Sequence, residues 1–405
     1  MPTVVLLGTL DTKGAEYAYL RERLKMHDVG TLLVDVGTLE EPRTEPDIDR
    51  RSVAAAGGID FDELLAARDR GRSVTAMASA AAAIVRRLRE EGRCDGVLAA
   101  GGSGNTAIAT TAMQALPVGV PKLMVSTVAA GNTRDYIGAS DVALMASVTD
   151  IAGVNSISAR ILANAAAAMA GMVTAPPVQL REQRPLIATT MFGVTTPCVT
   201  TAREALEQRG YEVLVFHATG TGGMAMEGLI ESDFIAGVLD ITTTELCDEL
   251  FGGVLAAGPD RLEVAGRKAL PQVVSLGALD MVNFGARDTV PPQLHGRNLY
   301  EHNPSVTLMR TTPEECEQLG RTIAHKLAGA RGPVALFVPL KGVSAIDAEG
   351  GPFYDPAADQ ALFAALRENL PADVELHELE HNVNDPEFAL AMVEQLITYL
   401  QETGT

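Results

Sequence analysis

The stretch GTLDTKG, Gly8 to Gly14, sets two hydroxyls, a carboxylate and an ammonium directly after an apolar run. Lys13 supplies the positive charge a polyphosphate needs, Thr9 and Thr12 offer hydroxyls, and Asp11 can assist a magnesium ion through water. The same residues also make an ordinary capped helix start with Lys13 in solvent. A second stretch, AAGGSGNT, raises a similar choice. Gly101, Gly102 and Gly104 permit close backbone approach, and Ser103, Asn105 and Thr106 add polar groups where a helix dipole favours an anion. No GK[ST] follows, the glycines are not a GxGxxG after the first strand, and Asn105 stands where a nucleophile elbow needs glycine. By motif alone, a phosphate cradle and a tight turn both remain open. Asp35 and Thr38 end the second apolar run, where an acidic residue meets ribose hydroxyls in dinucleotide folds. Arg72, ahead of a long helical pattern, can reach a phosphate or lie on the surface.

The second half carries scattered polar residues of another kind. His217 and Glu227 flank a glycine cluster, and Asp240, Thr242, Thr243, Thr244 and Glu245 follow an apolar run. Arg297, His302 and Asn303 come next, then Lys341, Ser344, Asp347 and Asp355, and finally His381, Asn382, Asn384 and Asp385. Of these, His217, His302, Lys341, Asp347 and His381 are the candidate catalytic groups for acid–base work on a small polar or carboxylate substrate. Read one at a time they also serve as caps, turn formers and surface groups. No HExxH or EF-hand pattern is present, so a tightly held catalytic metal is not indicated.

The elements that must position these residues alternate. TVVLLG, TLLVDVG, GVLAAGG and KLMVST read as strands separated by helical segments, which implies βαβ units, a parallel sheet, and function on the loops after the strand ends. The proline-rich TAPPVQLREQRP breaks the rhythm, placing the boundary between domains over 1–178 and 184–405. The pattern then restarts with PLIATTMFG, YEVLVFHATGTGG, FIAGVLDIT, QVVSLGALD, VALFVPL and DVELHELE as strands, and closes on a helix over EFALAMVEQLITYLQET. The halves share a plan, through descent or through convergence on doubly wound architecture. The expected fold class is α/β, two Rossmann-like doubly wound domains with mainly parallel sheets.

Composition sets bounds on partners. At 405 residues the chain is long enough for two cores, and 47% hydrophobic with 4% aromatic residues suits an Ala/Val-packed α/β scaffold. A net charge of −20 disfavours nucleic acid and anionic membranes. Cys94, Cys198, Cys247 and Cys316 form no CxxC pair, which points to a reducing cytoplasm rather than a disulfide framework. The first apolar run is too short for a signal peptide or a membrane span.

GTLDTKG, GGSGNT, HATGTGGMAME, RNLYEHNPSVTLMRTT, GVSAIDAEGGPFYD and HNVNDPEFA, in this order over essentially the whole chain, resemble the family of the tomato mosaic virus resistance protein and its uncharacterised bacterial relatives. The resemblance implies ATP with magnesium bound mainly in the amino-terminal domain, and self-association as a homodimer or higher homo-oligomer. It carries over to Thr9, Asp11, Lys13, Thr38, Arg72 and Gly101 to Thr106. The plant member has glycine where Asn105 stands and continues into a further barrel-like domain, so its antiviral role does not transfer. Three functions follow as expectations: an ATP-binding enzyme such as a kinase or ligase with its small substrate in a cleft between domains; a nucleotide-responsive module without turnover; or, on fold analogy, a sugar-nucleotide enzyme.

Overall fold

In TVVLLG the side chains of Val4 to Leu7 are all apolar, and the two-residue strand period sends them to two different cores. Val4 and Leu6 pack with Leu10, Tyr17, Leu20 and Leu24 of the helix Leu10–Lys25 and with Leu162, Ala165 and Met169 of the helix Ser158–Thr174. Val5 and Leu7 face the opposite layer, against Met77, Ala81 and Ile84 of the helix Arg70–Glu90 and Ile108 of the helix Ser103–Gln114. Each fully buried Val or Leu stabilises by about 1.5–3 kcal/mol, so a strand buried on both faces belongs in a sheet sandwiched by helices.

The computed structural model describes residues 1–176, 178 and 184–404. Its chain forms two units, Met1–Gln179 and Leu180–Thr405. The proline-rich segment read above as the domain boundary lies partly outside the described residues.

The first unit holds a five-stranded sheet of β1 (Thr3–Gly8), β2 (Gly30–Asp35), β3 (Gly96–Gly101), β4 (Lys122–Ser126) and β5 (Ala143–Ala146). The order is β2-β1-β3-β4-β5 and every pairing is parallel. The strand order therefore reverses between β1 and β3, where Val4 to Leu6 pair with Gly96 to Leu98. In open parallel sheets that reversal opens the crevice where ligands bind.

The second unit holds β6 (Leu186–Met191), β7 (Glu212–His217), β8 (Gly237–Thr242), β9 (Gln272–Gly277), β10 (Met281–Phe284), β11 (Leu299–Asn303), β12 (Val306–Arg310), β13 (Val334–Pro339) and β14 (Glu375–Leu379). Six of these form a parallel sheet in the order β14-β13-β9-β8-β6-β7. Its first five strands in chain order repeat the arrangement of the first sheet. The antiparallel sheet β10-β12-β11 is an excursion between β9 and β13 that the sequence pattern did not announce. Both units are thus α/β and Rossmann-like, with mainly parallel sheets. No helix among the described residues is long and apolar enough to cross a membrane.

Candidate functional site

At the carboxyl edge of the first sheet, the loops after β1 and β3 lie side by side because their strands are neighbours. GTLDTKG is mostly helix, since the helical turn begins at Leu10, with a local kink at Lys13 (φ −122°, ψ 18°). Thr9 and Thr12 face each other, their hydroxyls 3.1 Å apart. Lys13 is half-buried, and one of its three donors goes to the carbonyl of Ile151.

The glycine loop closes into the helix Ser103–Gln114 with Gly102 as N-cap, which brings no side chain to the first amides. A helix start without a side-chain cap leaves backbone N–H groups for an anion. Ser103 is exposed there. Gly101 must be glycine, because a Cβ on it would lie 2.7 Å from the Cβ of Asn105.

Two members of this loop turn inward. The Asn105 amide donates to the Tyr17 hydroxyl and to the Ala100 carbonyl, both at 3.0 Å. Thr106 is buried, its hydroxyl on the Gly102 carbonyl at 2.9 Å and on Ser126 at 2.7 Å. Both side chains are buried and set the loop's shape. Tyr17 ties the structure together beneath. Its hydroxyl donates to the Leu7 carbonyl (2.5 Å) and accepts from the Ala100 amide (2.8 Å), so β1 and β3 are cross-linked under both loops. Burial pushes its phenol well above the ordinary range.

After β2, Asp35 is fully buried and accepts from the amides of Leu10 (3.1 Å) and Gly37 (2.9 Å). Asp11, only 1% exposed, accepts from the Leu39 amide at 2.9 Å. These bonds hold the segment carrying the half-buried Thr38 against the first turn of the helix Leu10–Lys25. Arg72 is exposed in the first turn of the helix Arg70–Glu90. Two residues the sequence reading passed over stand nearer the glycine loop. A Cβ on Gly104 would sit 3.8 Å from Nη2 of Arg70, and one on Gly102 would sit 3.8 Å from Oγ1 of Thr127. The only signals for them were a basic residue two positions before Arg72 and a Ser-Thr pair ending the KLMVST run.

The second glycine cluster, His217 to Gly223, has no open cradle. Glu245 fills it with one carboxylate oxygen, which accepts from the amides of Gly220 (2.7 Å) and Gly223 (3.0 Å). Its other oxygen accepts from Nε of Arg261 at 2.7 Å. Arg261 in turn makes a two-point contact with Asp240, at 2.5 and 2.8 Å, and lies 3.5 Å from Glu227. All four side chains are nearly or fully buried. Burial raises the Glu227 carboxyl, while the surrounding carboxylates hold the Arg261 guanidinium charged against the same burial.

The candidate catalytic residues of this unit do not converge. His217 lies exposed at the end of β7 with its ring against Phe192, and His381 follows β14. Those strands are the two outermost of six, so five spacings of about 4.8 Å, roughly 24 Å, separate them. His302 is exposed on the antiparallel sheet. Asp347 is fully buried and bonds Arg310 (3.2 Å) and the Val343 amide (2.9 Å). Only Lys341 and His381 are brought together, the amide of the first donating to the carbonyl of the second at 3.0 Å. His381 also lies 3.4 Å from the Asp385 carboxylate.

Comparisons with known proteins agree along the whole chain. Residues 2–177 match the model of the uncharacterised protein family (UPF0261) N-terminal domain, and residues 184–400 match that family's C-terminal domain. A UPF0261 protein of Clostridium tetani is 52% identical, over 98% of this chain and 99% of its own. The ToMV resistance protein Tm-1 of Solanum lycopersicum is 41% identical over 98% of this chain, which spans 55% of that protein. Among solved structures, a putative UDP-N-acetylglucosamine 2-epimerase from Listeria monocytogenes matches at 13% identity and a TM-score of 0.25, covering 67% of this chain and 78% of its own. At that TM-score the likeness guides no functional reading.

Proposed function

The chain belongs to the uncharacterised protein family UPF0261, and we propose that its amino-terminal domain binds ATP with magnesium at the carboxyl edge of the β2-β1-β3-β4-β5 sheet. One observation carries this reading: the uncapped start of the helix Ser103–Gln114 lies beside the Lys13 loop at the strand-order reversal. Phosphates there take the first helical amides, with Ser103, Arg70 and Lys13 supplying side-chain donors and charge. This placement joins electrostatic preorganisation to the usual ligand position of the fold.

For the second domain the reading names a small polar or carboxylate metabolite at the Lys341–His381 corner. Lys341 is exposed and carries the charge such an anion needs, and His381 adjoins it. A second reading, a nucleotide-responsive module without turnover, is favoured by the scatter of the histidines and by a glycine cluster already filled by Glu245.

Calorimetry with ATP and magnesium tests the first step. The expected result is one nucleotide per chain, weakened about tenfold, or 1.4 kcal/mol, by Lys13→Ala. No heat from the parent protein overturns the reading. Phosphate or ADP release with a panel of small carboxylates, lost on His381→Ala, separates the enzyme from the module.

A further inference from the structure

Asp11 and Asp35 share a condition. Both are buried, at 1% and 0% exposure, and each has one oxygen bound by backbone amides and one, Oδ1 of Asp11 and Oδ2 of Asp35, with no hydrogen-bond partner. They meet at Gly37. Its amide donates to Asp35, and a Cβ on it would lie 2.7 Å from the carboxylate carbon of Asp11. Asp35 also accepts from Leu10, the residue preceding Asp11, so both carboxylates stand at the first turn after β1.

Buried carboxylates without a counter-ion are costly, and proteins normally pair them. At the strand ends of the second domain Asp240 and Glu245 are neutralised in this way by Arg261, although its Asp248 is buried on amide donors alone. At the strand ends of the first domain no such cation is supplied. Among the described residues no lysine or arginine bonds Asp11 or Asp35. Arg50 is near enough to be felt at Asp35, but its guanidinium goes to the Glu40 carbonyl and the Glu41 carboxylate.

We propose that Asp11 and Asp35 together take up the divalent cation that accompanies the nucleotide, each through the oxygen the protein leaves bare. Two carboxylates, with phosphate oxygens and water completing the shell, suit a magnesium ion, which seldom takes an all-protein cage. Asp35 thereby acts as a cation ligand rather than a ribose contact. The inference rests on the nucleotide reading above for the ion's source, not for its ligands.

The test uses Mn²⁺ in place of magnesium, followed by electron paramagnetic resonance, on the full chain with and without a non-hydrolysable ATP analogue. Asp11→Asn and Asp35→Asn are each expected to weaken Mn²⁺ binding to the free protein tenfold or more. Mn²⁺ affinities within twofold of the parent in both variants overturn the proposal. If the analogue fails to bind with or without Mn²⁺, the nucleotide reading fails alone, and Mn²⁺ titration of the free protein still decides the cation. Should a variant not fold, Fe²⁺ with ascorbate and peroxide maps the site in the parent. Backbone cleavage near residues 11 and 35, suppressed by excess magnesium, is the supporting result, and cleavage elsewhere only is the overturning one.

Discussion

Arg261 grips Asp240 at two points, 2.5 and 2.8 Å, with both side chains only 1% exposed. The guanidinium also holds Glu245, whose other oxygen fills the second glycine cluster. Removing the cation leaves three buried carboxylates facing one another. Arg261→Met is therefore expected to destabilise the second domain by about 3–5 kcal/mol, the usual cost of breaking one side of a buried ion pair. Urea denaturation followed by a probe in that domain measures it, and a midpoint equal to the parent's refutes the assignment.

A second buried group sets a pH dependence. Asp280, Asp347 and Asp359 surround one cation, Arg310, which bonds Asp347 and Asp359. Burial, with mutual repulsion, pushes Asp280 up to about 6 and Asp347 up to about 9, and burial raises Asp359 as well. An unfolded aspartate titrates near 3.9. The folded chain thus holds more protons than the unfolded chain between those limits, and its stability is complete below about pH 4 and falls as pH rises through about 6 and then about 9. For each proton the slope approaches about 1.4 kcal/mol per pH unit. Urea midpoints at pH 6, 7.5 and 9 should decline, and Asp347→Asn should flatten the alkaline part. A midpoint constant or rising over that range contradicts the picture.

Much of this was legible because apolar runs buried on both faces leave few alternatives to parallel strands. That β1 and β3 are neighbours comes from the pairing itself, whereas that Lys13 and Ser103 lie at the same carboxyl edge follows once parallel βαβ units are granted. Lateral order does not. His217 and His381 both read as strand-end residues, and nothing in their own neighbourhoods says that β7 and β14 are opposite edges. The small antiparallel sheet escaped because β11 runs Leu-Tyr-Glu-His-Asn with four of its five residues exposed, so no apolar alternation marks it. β5, Ala-Leu-Met-Ala, has helix-favouring residues and is a strand only through its pairing with β4. The Glu245 plug is a contact across 25 residues that no local pattern encodes.

Tyr17 offers a sharper test of the first domain's floor. Its ring fits only because residue 8 is glycine, a Cβ there lying 2.1 Å from the ring carbon that bears the hydroxyl. Tyr17→Phe keeps the ring and removes the hydroxyl, leaving the Leu7 carbonyl, the Ala100 amide and one bond of Asn105 unsatisfied. Unpaired buried groups cost about 1–3 kcal/mol. The first domain's unfolding midpoint should drop accordingly, and amide exchange should quicken at Ala100 and through the glycine loop. Unchanged exchange there would separate the hydroxyl from the loop.

Arg70 and Arg72 both lie in the first turn of one helix, and geometry divides them. Nη2 of Arg70 is 3.8 Å from the point a Cβ on Gly104 would occupy, so its charge reaches a phosphate seated on the first amides of the helix Ser103–Gln114. Both side chains are exposed and screened by solvent, so the proximity shown for Arg70 is what decides between them. Arg70→Ala should weaken ATP about tenfold, equivalent to 1.4 kcal/mol, and flatten the salt dependence of binding. Arg72→Ala should change affinity less than threefold, by the weak coupling expected of exposed charges. Calorimetric titrations of both variants at low and high salt decide it. Equal losses would assign the phosphate contact to the helix's general positive potential, and a larger loss at Arg72 would move the phosphates away from Gly104.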